Sequence, residues 1–150
     1  VLLKAVQQTN DLQIKQIVQL IEKKLISVKN KRITILGLSF KENSDDIRES
    51  RSIELIKILL RKNSKIIVHD PKATKNVERI FMNKITYANS LSEALQNSQC
   101  VVIMTPWKVY TKLNSNDFQK MKKKLVIDTR RILSGKNLNV EYLAIGLGLN

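Results

Sequence analysis

Residues 32–38 read RITILGL, a nearly continuous run of apolar and β-branched side chains. Such a run predicts a β-strand covered on both faces, because a strand with one wet face alternates apolar with polar residues. Strands of this kind belong to parallel sheets that have helices packed on both sides. The stretch therefore predicts an α/β fold.

The sequence that follows alternates further apolar runs with helical patterns. Residues 52–60 read SIELIKILL, an amphipathic helix for which Ser50 is a candidate N-cap. Ser90 and Glu93 form a capping-box pattern that opens another helix. The remaining predicted elements are strands at 65–71, 100–105, 125–128 and 142–145, a weak strand at 85–87, and helices over 90–97 and 117–123. This alternation predicts βαβ units in a Rossmann-like three-layer fold, a parallel sheet with helices on both faces.

The first segment, residues 1–29, predicts a long helix that precedes the sheet, because its apolar residues from Leu2 to Leu25 recur at helical spacing. No capping residue precedes Val1, so we expect the sequence to begin inside a helix of a longer protein. We divide the chain into this helix and a domain covering residues 30–150. An apolar stripe over residues 2–25 would be costly to expose, so we expect the helix to self-associate.

Composition narrows the class of protein. The 150 residues are 43% hydrophobic and 27% charged, as is ordinary for one folded domain. We expect a cytoplasmic protein without membrane contact, because no apolar run approaches the ~20 residues that cross a bilayer and no signal-peptide pattern is present. The single cysteine, Cys100, excludes an internal disulfide and a cysteine-rich metal site. Its place inside a predicted strand favours a buried structural role, and we predict no metal site.

The formal net charge of +14 is compatible with an anionic partner. The cations are nevertheless spread along the chain, and the longest run is only Lys122 to Lys124. A small anionic ligand is therefore favoured over nucleic acid, which remains the alternative and would bind with steep salt dependence.

Ligands of parallel sheets bind outside the carboxyl ends of the strands, which directs attention to the loops that follow them. The loop after the first strand contains Lys41, a compact charge, and Arg48, whose guanidinium can bind phosphate bidentately. Arg130 follows the strand at 125–128, so we expect Lys41 and Arg130 to converge on one anion. The alternatives are a solvated polar loop and an arginine whose stem covers the sheet edge.

The same loops argue against an ordinary dinucleotide site. Gly37 is the only glycine in residues 37–50, the loop after the first strand, where such sites carry G-x-G-x-x-G. Asp70 ends the second strand and either holds ribose hydroxyls or caps the turn at Pro71, and we favour the cap. Trp107 either stacks on a base or fills core space, and we favour the core.

These motifs resemble a known family. Residues 35–50, continued by IEL at 53–55 and HDP at 69–71, resemble the C-terminal domain of the UDP-glucose and GDP-mannose dehydrogenase family. The family pattern reads roughly L-G-L-x-F-K-x-x-T-D-D-x-R-x-S, and this chain departs from it at Ser44, which keeps the hydroxyl of threonine. Further matches are Thr105 with Trp107, residues 127–130, residues 142–146, and the opening helix with Asn10.

The resemblance implies an NAD-dependent oxidation of the C6 alcohol of a UDP-sugar to a carboxylate, by two hydride transfers. Family members use an N-terminal Rossmann domain for NAD and a cysteine nucleophile, and this sequence matches neither, so we expect it to be inactive alone and to hold no catalytic residue. The resemblance further implies that Phe40, Lys41 and Arg130 contact the nucleotide sugar and that Arg48 reaches the NAD. It also implies a homodimer formed through the first helix.

Two of these motifs also bear on the substrate. Thr105 with Trp107 and the D-T-R of residues 128–130 are more similar to the UDP-glucose branch than to the GDP-mannose branch. A UDP-N-acetylhexosamine or GDP-mannose dehydrogenase, and a stand-alone nucleotide-binding module, remain alternatives.

Overall fold

The computed structural model describes residues 2–146, with side chains from Asn10 onward. The strands are β1 Arg32–Leu36, β2 Lys65–His69, β3 Thr86–Tyr87, β4 Cys100–Ile103, β5 Leu125–Asp128 and β6 Glu141–Ala144. The helices are α1 Leu2–Leu25, α2 Arg51–Arg61, α3 Thr74–Phe81, α4 Leu91–Leu95 and α5 Lys108–Thr111, and 3-10 turns span Met82–Lys84 and Asp117–Lys120.

All six strands form one parallel sheet in the order β3-β2-β1-β4-β5-β6. The chain builds outward from β1 in one direction through β2 and β3, and then in the other direction through β4, β5 and β6. The strand order therefore reverses between β1 and β4, which creates a crevice outside their carboxyl ends. The predicted Rossmann-like parallel sheet is confirmed.

Two hydrophobic clusters lie on opposite faces of the sheet, because successive side chains of a strand alternate in direction. In β4, Cys100 and Val102 belong to the first cluster, whereas Val101 and Ile103 belong to the second. Helices α1, α2 and α3 cover the first face, and α4, α5 and the turn around Phe118 cover the second. The predicted three layers are therefore present.

Helix α1 is part of this core from Ile14 onward. Its buried side chains are 0–7% exposed and pack in the same cluster as Ile33 and Ile35; they are Ile14, Ile17, Val18, Ile21 and Leu25. The sheet of the same chain covers the apolar stripe over residues 14–25, so burial of this part of the stripe requires no second copy. The side chains of residues 2–9 lie outside the described part, and self-association stays a prediction.

Except for β5, the strand bounds differ from the predicted ones by one or two residues. β1 ends at Leu36 because Gly37 adopts a φ of +98°, a left-handed conformation that interrupts the ladder. The helix predicted over 117–123 is only a 3-10 turn, and α3 and α5 were not predicted. Their short apolar patterns are too weak to distinguish from loops. Within residues 2–146, no helix is both long and apolar enough to span a membrane.

Candidate functional site

Asp70 joins three loops at the carboxyl end of the sheet. Its buried carboxylate accepts bonds at Oδ2 from the backbone N–H groups of Leu38 at 2.7 Å and Ser39 at 3.1 Å. The same oxygen accepts the indole N–H of Trp107 at 3.1 Å, while Oδ1 accepts two backbone bonds of 2.8 Å within its own turn. The predicted turn-capping role of Asp70 is confirmed, and so is the core position of Trp107, which is 6% exposed.

The hydrogen bonds of the Asp70 carboxylate bear on whether the loops at this end of the sheet could bind NAD. A dinucleotide site of the ordinary kind requires a carboxylate at the end of the second strand to hold ribose hydroxyls, and glycines that let the pyrophosphate approach the backbone. The Asp70 carboxylate already accepts from loop donors at both oxygens, and residues 37–50 contain one glycine. The described residues therefore do not form an ordinary NAD site.

Two serines fix the start of α2 against the end of β1. Ser50 stands at the N-cap position of α2, but its hydroxyl donates to the Leu38 carbonyl oxygen at 2.6 Å and makes no capping bond. Ser52 donates to the Gly37 carbonyl oxygen at 2.7 Å. Ser50 is therefore the N-cap residue, as predicted, but without the expected capping bond, because its hydroxyl is oriented toward the Leu38 carbonyl and accepts no N–H from the first turn.

The loop between β1 and α2 is closed by backbone and charged contacts. The Phe40 N–H donates to the Asp46 carbonyl oxygen at 2.7 Å. The Arg48 guanidinium donates to the Asp46 carboxylate, with Nη2 at 2.8 Å from Oδ2 and Nε at 3.1 Å from Oδ1. This hydrogen bonding by Arg48, with a smaller contribution from the Lys41 charge, lowers the pKa of Asp46 to about 2. The same pair raises the pKa of Arg48, whose side chain is 88% exposed and extends outward.

Arg130 is held in place by the backbone of its turn. Asp128 is fully buried at the end of β5, where Oδ1 accepts the Arg130 N–H at 3.1 Å and Oδ2 accepts the Tyr142 hydroxyl at 2.7 Å. Burial and the hydrogen bond to Asp128 raise the pKa of Tyr142. Arg131 has a φ of +57°, and its charge acts on Tyr142, whereas the charge of Arg130 acts on Arg51. The charges of these two consecutive arginines therefore act on different neighbouring side chains.

A narrow cleft lies at the carboxyl edge of the sheet, between the loop after β1 and the turn after β5. Its volume is about 30 Å³, and it is lined by Ser39, Phe40, Glu49, Arg51, Ser52, Met104 and Arg130. A second, shallower cavity of about 350 Å³ adjoins it and is lined by Phe40, Asp46, Arg48 and Glu49. Ligand pockets usually measure roughly 300–1,000 Å³, so the first cleft is a rim for part of a ligand rather than a closed pocket.

The structure brings some of the predicted site residues together. Phe40, with 44% of its surface exposed, and Arg130 line the same cleft, and Arg48 adjoins it in the second cavity. Lys41 is exposed on the same loop and is not among the residues that line these two cavities. The convergence of Lys41 with Arg130 on one anion therefore stays a prediction.

Arg51 is a site residue that the sequence reasoning missed. It lines the cleft beside Arg130, and its pKa is lowered, first by burial and then by the positive charge of Arg130. Its place as the first residue of α2 could have indicated it, because a cation at a helix N-terminus opposes the helix dipole and is unusual there.

Comparison with known proteins gives consistent matches. Residues 34–135 match the model described as UDP-glucose/GDP-mannose dehydrogenase family, UDP binding domain. The chain is 37% identical over 133 residues to a UDP-glucose 6-dehydrogenase of Haloferax volcanii, covering 89% of this chain and 30% of that protein. It is 34% identical over 128 residues to a UDP-glucose 6-dehydrogenase of Rickettsia felis, covering 82% of this chain and 29% of that protein.

A solved structure extends the similarity to the fold. The UDP-glucose dehydrogenase of the hyperthermophilic archaeon Pyrobaculum islandicum is 29% identical, with a TM-score of 0.77. That match covers 98% of this chain and 32% of the other chain. This chain thus spans about a third, or slightly less, of the length of the proteins it matches.

Proposed function

The chain belongs to the UDP-glucose/GDP-mannose dehydrogenase family, and from that premise we propose that it binds the UDP-sugar substrate of an NAD-dependent UDP-glucose 6-dehydrogenase. The complete enzyme would oxidise UDP-glucose to UDP-glucuronate by two hydride transfers to NAD. The observation that carries the proposal is the cleft shared by Phe40 and Arg130 at the carboxyl edge of the sheet. A parallel sheet binds its ligands at this edge.

Each proposed contact follows from the chemistry of its side chain. The Arg130 guanidinium presents several donors in a fixed fork, which suits the oxygens of a phosphate. Phe40 offers an exposed ring at the mouth of the cleft, where it contacts the nucleotide sugar. Lys41 adds a positive charge from the same loop on a flexible four-carbon stem.

The chain itself is proposed to contribute binding and not the redox step. Cys100 is fully buried in β4, and burial raises the pKa of its thiol, so the thiolate that a nucleophile requires is disfavoured. The NAD site and the reactive cysteine therefore belong to the rest of the enzyme. The Arg48 side chain is 88% exposed beside Asp46 and is proposed to reach the NAD there.

Further parts of the proposal concern organisation. Residues 30–150 form the nucleotide-sugar-binding domain, and residues 1–29 form part of a connecting helix. This helix is proposed to make a homodimer contact, for which the exposed Leu12 is available on the side away from the sheet. We expect the enzyme to work in the cytoplasm, and a UDP-N-acetylhexosamine in place of UDP-glucose remains the alternative substrate.

Titration calorimetry of the chain with UDP and UDP-glucose tests the proposal. We expect weak but saturable binding and no NAD reduction when NAD is added. Arg130→Ala should reduce UDP affinity by about tenfold or more, because a hydrogen bond between charged groups contributes about 1.5–3 kcal/mol.

Arg131→Ala is the matched control, since it removes the same charge one residue along, where it acts on Tyr142. It should leave UDP affinity within about twofold of the parent, as for a rim charge away from the ligand. If Arg130→Ala binds UDP as tightly as the unaltered chain, Arg130 does not contact the ligand and the proposed site is refuted. If Arg131→Ala weakens UDP binding more than Arg130→Ala does, the ligand contact belongs to Arg131 instead.

A further inference from the structure

We propose that the groove between the last turns of α2 and α3 binds an acidic peptide segment of a partner protein, one with an apolar side chain among its carboxylates. The groove lies at the end of the sheet opposite the cleft of Phe40 and Arg130, because α2 and α3 both run back from the carboxyl ends of their strands. Its volume is about 700 Å³, within the range of ligand sites. Its occupant is therefore additional to the proposed nucleotide sugar.

The charge of the groove favours an anionic occupant. Lys57, Arg61 and Lys84 line it with exposed side chains, and among the described residues none of the three has a carboxylate within salt-bridge distance. No described carboxylate lines the groove, whereas Glu49 lines both cavities at the carboxyl edge. The helix dipole accounts for Arg61 in the last turn of α2, but Lys57 lies before that turn. The groove therefore holds positive charge that the folded chain does not compensate.

An apolar floor shares the groove with these cations. Leu60 and Phe81 line it and pack in the first hydrophobic cluster, and Ile80 exposes 42% of its surface there. Apolar surface rimmed by charged residues is typical of peptide-binding grooves, where apolar anchors bind and charges fix the orientation. The occupant should therefore bring an apolar side chain as well as carboxylates.

Other anionic occupants fit this surface less well. A nucleotide base would stack on an aromatic face, yet Phe81, the aromatic residue that lines the groove, is only 4% exposed. A second copy would bring more positive charge, since the chain has a formal net charge of +14. The exposed side-chain amides of Asn30 and Asn63 offer both donors and acceptors, which match a peptide backbone. An acidic segment of a different protein meets all three conditions.

An NMR chemical-shift titration with two capped octapeptides tests the inference. One peptide contains glutamate and leucine, and the other has serine in place of every leucine. We expect shifts at the ends of α2 and α3, and tighter binding of the leucine peptide by about threefold or more. Lys57→Glu should weaken binding by about three- to tenfold, because an attraction becomes a repulsion while glutamate preserves the helix. Ile80→Ala should weaken the leucine peptide and leave the serine peptide unchanged.

Lys108→Glu and Val109→Ala are the matched controls, because α5 covers the opposite face of the sheet and Val109 is 41% exposed. Both should leave peptide affinity within about twofold of the parent chain. Lys57→Glu should also leave UDP affinity unchanged, which separates this inference from the proposed function.

Three outcomes would overturn the inference. Equal losses in Lys57→Glu and Lys108→Glu would show a general attraction of charge instead of a site. Equal affinity for the two peptides would show that the apolar floor takes no part in binding. Tighter binding of a single-stranded oligonucleotide at the same cations would assign the groove to nucleic acid.

Discussion

Gly37 illustrates how one residue couples local backbone to long-range packing. It has a φ of +98°, and a Cβ added there would lie 2.5 Å from both Cβ and Oγ1 of Thr105, beyond the end of β4. The conformation and the close approach both require glycine. The crevice between β1 and β4 is therefore as narrow as it is because this residue has no side chain.

Substituting this glycine should be costly. We expect Gly37→Ala to lower the free energy of unfolding by about 2–4 kcal/mol, because left-handed strain and a steric clash add together. Gly135→Ala is the control, since Gly135 has a φ of +81° and open space around its Cα; only the strain of about 1 kcal/mol applies there. Urea unfolding of both variants measures the difference, and equal losses would show that the contact with Thr105 contributes nothing.

Cys100 permits a prediction about pH at the same scale. Burial raises the pKa of its thiol above the ordinary value of 9.0, so the folded state keeps the proton that the unfolded state loses. The contribution of Cys100 to stability is therefore fully present below pH 9 and falls as pH rises above it. Cys100→Ala should remove that part of the alkaline loss in unfolding measured from pH 7 to 10.

The buried Cys100 thiol should also be unreactive toward thiol reagents in the folded protein. We expect a thiol-reactive disulfide reagent at pH 8 to modify Cys100 of the native protein no faster than the protein unfolds. In urea that unfolds the protein, modification should be fast. Rapid reaction of the native protein would mean that β4 opens locally or that Cys100 is accessible.

Among the elements, α1 is the one whose observed role differs most from the role that its sequence predicts. Its apolar stripe suggests a helix that needs another subunit, yet Ile17 and Ile21 are 0% exposed against the sheet of their own chain. Helix α1 therefore contributes to folding as well as to any dimer. In the part of α1 whose side chains are described, one large apolar residue is exposed: Leu12, with 57% of its surface accessible.

Substitutions in α1 separate folding from association. Ile17→Ala should lower the free energy of unfolding by about 2–5 kcal/mol, because it leaves a cavity in a packed core. Leu12→Ala should change it by less than about 0.5 kcal/mol and should weaken any dimer in light scattering. A stability loss in Ile17→Ala that depends on protein concentration would show that an intermolecular contact, and not the sheet, buries this side chain.

The helix caps show where element prediction depends on tertiary contacts. The capping box of α4 is formed as predicted at its serine, where Ser90 Oγ accepts the Glu93 N–H at 3.1 Å. The Glu93 carboxylate accepts from Asn89 at 3.0 Å, one residue before the expected donor. Both contacts are local, so the sequence pattern suffices for them. Ser50 also stands at an N-cap, but its hydroxyl is oriented by a tertiary bond to the carbonyl of residue 38 and makes no capping bond.

At the scale of the whole molecule, the reversal of strand order positions the site. The loops after β1 and β5 come from strands separated by β4, and they meet only because the sheet is built outward from its centre. Their cleft is open and small. A cleft of this size would enclose only part of the proposed nucleotide sugar.

The sequence by itself determined the order of the strands, the helices α1, α2 and α4, the parallel sheet and the family, because these depend on local periodicity and on motifs that are contiguous in the chain. β5 was predicted with its observed bounds. Arg48 and Arg130 were singled out from their places after strands, and Phe40 from the family resemblance. The pairing of Asp46 with Arg48 was also foreseeable, since the residues are two apart.

Only the tertiary structure decided which of these side chains share a surface. The bond from Trp107 to Asp70 joins residues 37 positions apart, and the nearness of Arg51 to Arg130 spans a still longer stretch. Burial of α1 against the sheet is likewise a property of packing. Periodicity shows that a face is apolar but not what covers it, because the free energy of burial depends on the area removed from water and not on which surface removes it.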